Sequence, residues 1–235
     1  MTRDAQLAPQ SLAAIGLFLG ITSTALEAVA ASARVRRLGK DSLIFHQGDD
    51  SVRAHAVVEG GVRIAQSGSD GAQVVIRFVG PGEMFGTVSL FTDGRYPADA
   101  VTVCETLEAS WSESELLELI RRHPQIAINV IHIMGQRLQE AQERVRELST
   151  QTAERRIAHA VLRLARQAGQ STTDGTAIAF SLRRKDVADI SGTTLHTASR
   201  ILTAWEKAGL LRSRKQRLTV RNPSEILRIA EDATD

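Results

Sequence analysis

The chain has 235 residues, 43% hydrophobic and 24% charged, the balance of an ordinary soluble protein long enough for two compact cores. Its one cysteine, Cys104, excludes an intramolecular disulfide framework and a four-thiolate iron-sulfur cluster, and fits a reducing cytoplasm. Charge is unevenly placed: through Thr150 there are 14 Lys/Arg and 18 Asp/Glu, net −4, and beyond it 15 and 9, net +6, so the two parts suit different partners.

Leu12 to Ala31 is apolar, yet Gly16 and Gly20 interrupt it and Glu27 falls inside it, which argues against a signal peptide or membrane span. The spacing of Leu26, Val29 and Ala30 after a cap-like threonine predicts a short amphipathic helix packed on the next domain.

From Arg34 to about Trp111 the period is two. Glycines punctuate short segments at Leu38 to Phe45, His55 to Val58, Gly61 to Ala65, Gln73 to Phe78 and Ala100 to Ala109. This predicts an antiparallel sandwich or roll of about 80 residues. Cys104 falls in the last of these strands, where a small buried residue is expected. No phosphate-binding glycine loop, dinucleotide fingerprint or catalytic grouping appears, so no enzyme is expected.

A helix is predicted over Glu113 to Arg121, and a long one from Pro124 to about Leu148. Val130, Met134, Leu138, Ala141, Val145 and Leu148 form its apolar stripe, at intervals of three and four, and charged residues flank it. Such a stripe serves as a coiled-coil seam between two copies.

Arg183 to Arg200 reads as two short helices around Gly192. Ser181 is a plausible cap for the first, which has an apolar face of Val187, Ala188 and Ile190. Thr193 or Thr194 can cap the second, with Leu195, Ala198, Ile201, Leu202 and Trp205 inward and His196, Thr197, Ser199 and Arg200 outward. Gly209 is a helix stop, and LLRSRKQRLTV reads as a two-stranded wing with a basic turn. Residues 181–221 hold ten Lys/Arg against three Asp/Glu, net +7, concentrated where phosphates would lie. These features predict a winged helix-turn-helix whose second helix enters the major groove of duplex DNA. A dimer would set two such helices about 34 Å apart, on the half-sites of a palindrome.

The order of roll, long helix and winged unit resembles the cyclic-AMP receptor protein and fumarate-nitrate regulator (CRP/FNR) superfamily of transcription factors. IFHQGDD, VVEGGVRI and GPGEMFGTVSLF in the roll, and RKDVADISGTTLHTASRILTAWEKAGLL near the C-terminus, carry the resemblance over nearly the whole chain. It implies an α+β chain. An N-terminal helix and antiparallel β-roll sense an effector over 1–121, a central dimerisation helix spans 122–150, and a winged helix-turn-helix binds DNA over 151–235. The implied partners are a second copy, a palindromic duplex, RNA polymerase and a small-molecule effector.

Within the recognition unit the resemblance makes Arg184, Thr194 and Thr197 phosphate contacts and Arg200 the reader of a guanine through O6 and N7. Ser199 with Arg200 matches the pair typical of the fumarate-nitrate branch. His196 stands where both branches usually carry glutamate, and Leu195 replaces an arginine of the cyclic-AMP branch, so the half-site should differ from theirs.

In the roll, the resemblance places an effector pocket at Phe85, Gly86, Thr87, Val88, Tyr96, Pro97 and Ala98, with Arg137 and Ala141 of the long helix. Thr87 replaces the family's ribose-binding glutamate, and Pro97 and Ala98 stand in place of its phosphate-binding Arg-Ser pair. Ala141 and Gln142 replace an adenine-contacting Thr-Ser pair. Such losses weigh against cyclic AMP. The related branch includes nitric oxide and redox sensors, some resembling heme proteins, for which His46, His55, His123 or His132 offers an axial ligand. The alternative is a ligand-binding regulatory module acting through protein partners, which would not need the winged unit.

Overall fold

The computed structural model describes residues 3–4, 7–68, 73–214 and 216–231. The chain divides into two compact units, residues 1–73 with 78–140 and residues 74–77 with 141–235. Among the described residues no helix is long and apolar enough to cross a membrane.

The first unit opens with a short strand β1 (Arg3–Asp4), a single helical turn α1 (Pro9–Leu12), a 3₁₀ turn over Gly16–Phe18 and the helix α2 (Ser23–Ser32). The Thr22 hydroxyl caps α2 by accepting from the Ala25 amide at 3.2 Å. Its inward residues Leu26, Val29 and Ala30 pack on the roll as the spacing requires. The strands are β2 (Arg34–Leu38), β3 (Leu43–Phe45), β4 (Arg53–Glu59), β5 (Val62–Ser67), β6 (Gln73–Val79) and β7 (Met84–Phe85). After a 3₁₀ turn at Val88–Phe91 come β8 (Asp99–Thr102) and β9 (Thr106–Ser112). They form two sheets, ordered β1-β2-β9-β4-β7 and β3-β8-β5-β6.

Two stretches that read as single strands are each broken into two. Leu38 to Phe45 divides into β2 and β3 at a turn where Asp41 takes a φ of +60°, and Ala100 to Ala109 divides into β8 and β9 at residues 103–105. In both cases the halves belong to different sheets. The corners coincide: Thr102 accepts from the Asp41 amide through its carbonyl and from the Ser42 amide through Oγ1, while Oγ1 donates to the Gly39 carbonyl at 2.6 Å. Alternation continues through such a corner because each half still buries one face. Cys104 therefore lies half-exposed in the bend and not buried in a strand.

One core lies under α2, where Phe18 meets Trp111 edge to face with centroids 5.1 Å apart, and the Trp111 indole donates to the Val29 carbonyl at 3.0 Å. Ser112 and Glu115 form a capping box that starts α3 (Glu113–Arg122). The long helix α4 (Gln125–Thr150) begins directly after Pro124.

The second unit contains α5 (Ala153–Ala168), the hairpin β10 (Gly169–Thr172) and β11 (Gly175–Ile178), α6 (Arg184–Ile190), α7 (Leu195–Lys207), the hairpin β12 (Leu211–Arg214) and β13 (Arg217–Val220), and α8 (Pro223–Glu231). The two hairpins join in one sheet ordered β10-β11-β13-β12. Ile157, Val161 and Leu164 of α5, Val187 of α6, and Ile201, Leu202 and Trp205 of α7 are buried. Of the expected basic turn in the wing, Lys215 lies outside the described residues, while Gln216 takes a φ of +61°.

Candidate functional site

The helix-turn-helix forms with two changes from the sequence expectation. Helix α6 starts at Arg184, not after Ser181, because the Asp186 carboxylate, buried on the inner side, accepts from the Arg183 amide at 2.8 Å and from its guanidinium. An acceptor three residues into the helix thus satisfies an otherwise orphaned donor. Leu195, expected inward, is 49% exposed, because it begins α7 ahead of the first position that reaches the core, Ala198.

Gly192 supplies the turn with a φ of +60°. Arg156 of α5 fixes that turn, donating to the carbonyls of Ser191 at 2.9 Å and Gly192 at 3.1 Å, and also to that of Gln151 at 3.1 Å. A cation on carbonyls at a helix end suits the helix dipole. Thr194 caps α7: its Oγ1 accepts from the Thr197 amide at 3.1 Å and lies 3.0 Å from the Thr197 hydroxyl.

The outer face of α7 presents His196 and Arg200, four residues apart and both exposed, with Thr194 exposed and Thr197 and Ser199 half-exposed. Arg184 is placed differently from the others. Its guanidinium donates to the Ser199 carbonyl at 2.7 Å and the Thr203 hydroxyl at 2.9 Å, and pairs with Glu206 at 3.0 Å, so it ties α6 to α7.

Several of the basic residues of this region are internally compensated. Arg183 pairs with Asp186, Lys185 with Asp189, and Arg212 and Arg221 with Asp174. Arg200, Lys207, Arg214 and Arg217 are exposed with no ion pair among the described residues, and they carry the positive field of this surface.

In the roll, Phe85 and Tyr96 are buried side chains of a second core. Tyr96 stacks on Phe45 with centroids 3.6 Å apart. A β-carbon on Gly86, which has a φ of +69°, would lie 2.9 Å from His55 Cδ2 and 3.1 Å from Tyr96 Cε1, so only glycine fits there. Thr87 is buried beside a small apolar cavity lined by Leu17, Met84, Phe91, Leu116, Val130 and Met134. Val88 and Pro97 are exposed and Ala98 is buried. Arg137 pairs with Glu83 at 3.2 Å and Glu140 at 2.8 Å, and Ala141 is exposed on α4.

Behind Tyr96 lies a buried network that the sequence did not reveal. His55 Nδ1 lies 2.5 Å from Glu108 Oε1 and Nε2 lies 2.9 Å from the Tyr96 hydroxyl, while Arg36 pairs with the other Glu108 oxygen at 2.8 Å. Burial holds His55 below the ordinary imidazole range against the pull of Glu108. Burial pushes the Glu108 carboxyl up, but hydrogen bonds from His55 and Arg36 outweigh it and hold it below the usual range. His55 is thus a neutral imidazole donating from Nδ1 to a carboxylate.

Of the four histidines considered as heme ligands, only His55 has both ring nitrogens engaged within the described residues of the chain. His46 and His132 are exposed, and His123 is half-exposed at the end of α3. Among the described residues no three His, Cys, Asp or Glu side chains gather as a metal site.

Along α4, Val130 packs on the N-terminal core, whereas Ile131 is 68% and Leu138 62% exposed, with Ala141, Val145 and Leu148 also exposed. Ile131, not Val130, therefore begins the exposed stripe. Its signal was present, since Ile131, Met134, Leu138, Ala141, Val145 and Leu148 alternate strictly by three and four.

Residues 35–123 match the cyclic nucleotide-binding domain family, and residues 155–229 match the Crp-like helix-turn-helix domain family. The cyclic AMP receptor protein of Thermus thermophilus is 34% identical over 187 residues, 80% of this chain and 83% of its own. The solved structure of the Thermus thermophilus catabolite activator protein is 31% identical, covers 92% of this chain and 98% of that one, and superposes with a TM-score of 0.53. FixK2 from Bradyrhizobium japonicum is 25% identical, covers 86% and 99%, and superposes with a TM-score of 0.74. With a β-roll, a long helix and a helix-turn-helix DNA-binding domain in the same order, this chain belongs to the CRP/FNR superfamily of transcription regulators.

Proposed function

We propose that the protein is a homodimeric regulator that reads a palindromic duplex with α7 and answers to an effector other than cyclic AMP. The observation that carries the reading is the outer face of α7, where His196, Ser199 and Arg200 stand off a packed helix-turn-helix beside exposed wing arginines. Arg200 is the guanine reader, Thr194 and Thr197 hold phosphates, and Arg184 acts through the α6–α7 tie. The exposed stripe from Ile131 to Leu148 is the seam for the second copy. RNA polymerase is the further partner and the cytoplasm the compartment, as for a regulator acting on promoters.

Two observations support a different effector from that in the Thermus relative's name. Thr87 follows Phe85 and Gly86 with no carboxylate for a ribose, and Tyr96, stacked on Phe45, is part of the core. An effector that binds one arrangement of the roll and α4 better than another would shift the spacing of the recognition helices. Selection from a pool of random duplexes tests the DNA reading: an inverted repeat is expected, with binding that weakens steeply as salt rises. Equal binding to every sequence would overturn it.

A further inference from the structure

Where the last turns of α4 pass α5, polar side chains lie between them. Arg144, Glu147 and Gln151 recur at intervals of three and four on one face of α4, opposite Arg156 and Arg163 of α5. Glu147 is buried and accepts from Arg163 Nη1 at 2.6 Å, and it is the one carboxylate among these five residues. Arg156 directs its donors at the carbonyls of Gln151, Ser191 and Gly192. Three guanidiniums therefore share one carboxylate, net +2.

Two of the guanidiniums are short of acceptors. Arg163 Nη2 is buried without a hydrogen bond, and the half-buried Arg144 makes neither hydrogen bond nor ion pair among the described residues. Burial, and then the like charge of Arg163, hold the Arg144 guanidinium below its ordinary range against the pull of Glu147. A guanidinium does not shed its charge in a protein, so a desolvated one calls for an anion. The same helix does not supply it. Glu140, one turn earlier, is held by Arg137 at 2.8 Å, and Gln142 and Ser149, which flank the seam near Arg144, are uncharged. Gln151 Oε1 is also buried and unpartnered, and turning that amide presents its N–H groups to the same anion.

We propose that this layer binds a free phosphate dianion, held by Arg144 and Arg163. A charge of about −2 offsets the excess of the layer, which a carboxylate or one phosphodiester of DNA would leave half unpaired. The bound phosphate fastens the end of α4 to α5, whose Arg156 holds the turn before α7. The site lies outside the roll and does not depend on which effector the roll takes.

The test titrates inorganic phosphate into the full-length protein, without DNA, in chloride of matched ionic strength. Calorimetry should show saturable binding, and the melting temperature should rise as phosphate is added. Arg144→Gln and Arg163→Gln should each weaken binding about ten-fold or more, the loss of a charge-assisted hydrogen bond, while Arg166→Gln, at an exposed position of α5, should match wild type. Arg144→Gln removes an unpaired charge, so without phosphate it should melt no lower than wild type, which separates lost binding from misfolding. No saturable binding, or binding retained in Arg144→Gln, overturns the proposal. Titration with duplex DNA identifies the source of the phosphate. An unchanged salt dependence in Arg144→Gln supports a free ligand, whereas a slope smaller by about one makes the DNA backbone the occupant and overturns it.

Discussion

Leu148, near the C-terminal end of α4, fills the space that a β-carbon on Gly192 would need, and Gly192 holds a φ of +60° at the turn between α6 and α7. Gly192→Ala therefore brings left-handed strain and obliges the half-exposed Leu148 side chain to turn aside, and should destabilise the protein by roughly 1–3 kcal/mol. Chemical denaturation of the full chain measures this. An unchanged midpoint would mean that Leu148 moves aside without cost and that the turn relaxes away from its left-handed conformation.

Arg200→Ala should relax base preference at one half-site position and weaken specific binding by about 1–3 kcal/mol. Lys207→Ala should instead weaken binding evenly across sequences, because it contributes charge alone. Competition titrations against single-base variants of the selected site separate the two. Sequence preference unchanged in Arg200→Ala would remove that residue as a reader.

On α4, adjacent positions should behave differently. Leu138→Glu and Ile131→Glu place charge on an exposed stripe, and each should give folded monomers that bind DNA weakly. Val130→Glu places charge in the N-terminal core and should lower the melting temperature. Sedimentation equilibrium and thermal melts read both effects. A dimeric Leu138→Glu would sink the seam.

Stability should fall with acid. His55 and Glu108 both titrate lower in the folded chain than in the unfolded one, so the unfolded chain takes up protons first as pH drops. Their contribution is full above about pH 6.5 and is lost on acidification, through His55 first and through Glu108 below about pH 4.3. Thermal melts between pH 7.5 and 5 should show the decline, with a shallower slope in His55→Gln. Equal slopes would place the acid sensitivity elsewhere.

Cyclic AMP should leave DNA binding unchanged in fluorescence anisotropy, and calorimetry should show no heat of binding. A saturable response would require Arg95, exposed beside Tyr96, to supply the missing cation.

The winged unit was legible because its signals are local: a cap at Thr194, a glycine at the turn, and apolar residues at helical spacing. The error at Leu195 arose because helical period gives a direction without saying where along the axis the core begins. Val130 and Ile131 show the same limit, since both are apolar and adjacent, and which one meets the roll depends on how α4 lies against it.

The sequence by itself determined the order of elements, the sign of charge on each part, and the family. These follow from residue type and spacing. Only the tertiary structure decided that Arg184 ties α6 to α7, that Thr102 pins two strands at one sheet corner, and that Glu108 joins His55 and Arg36 in a buried network. Those contacts join residues 15 to 72 positions apart, and a low-dielectric interior makes such polar pairings obligatory without marking them in the local pattern.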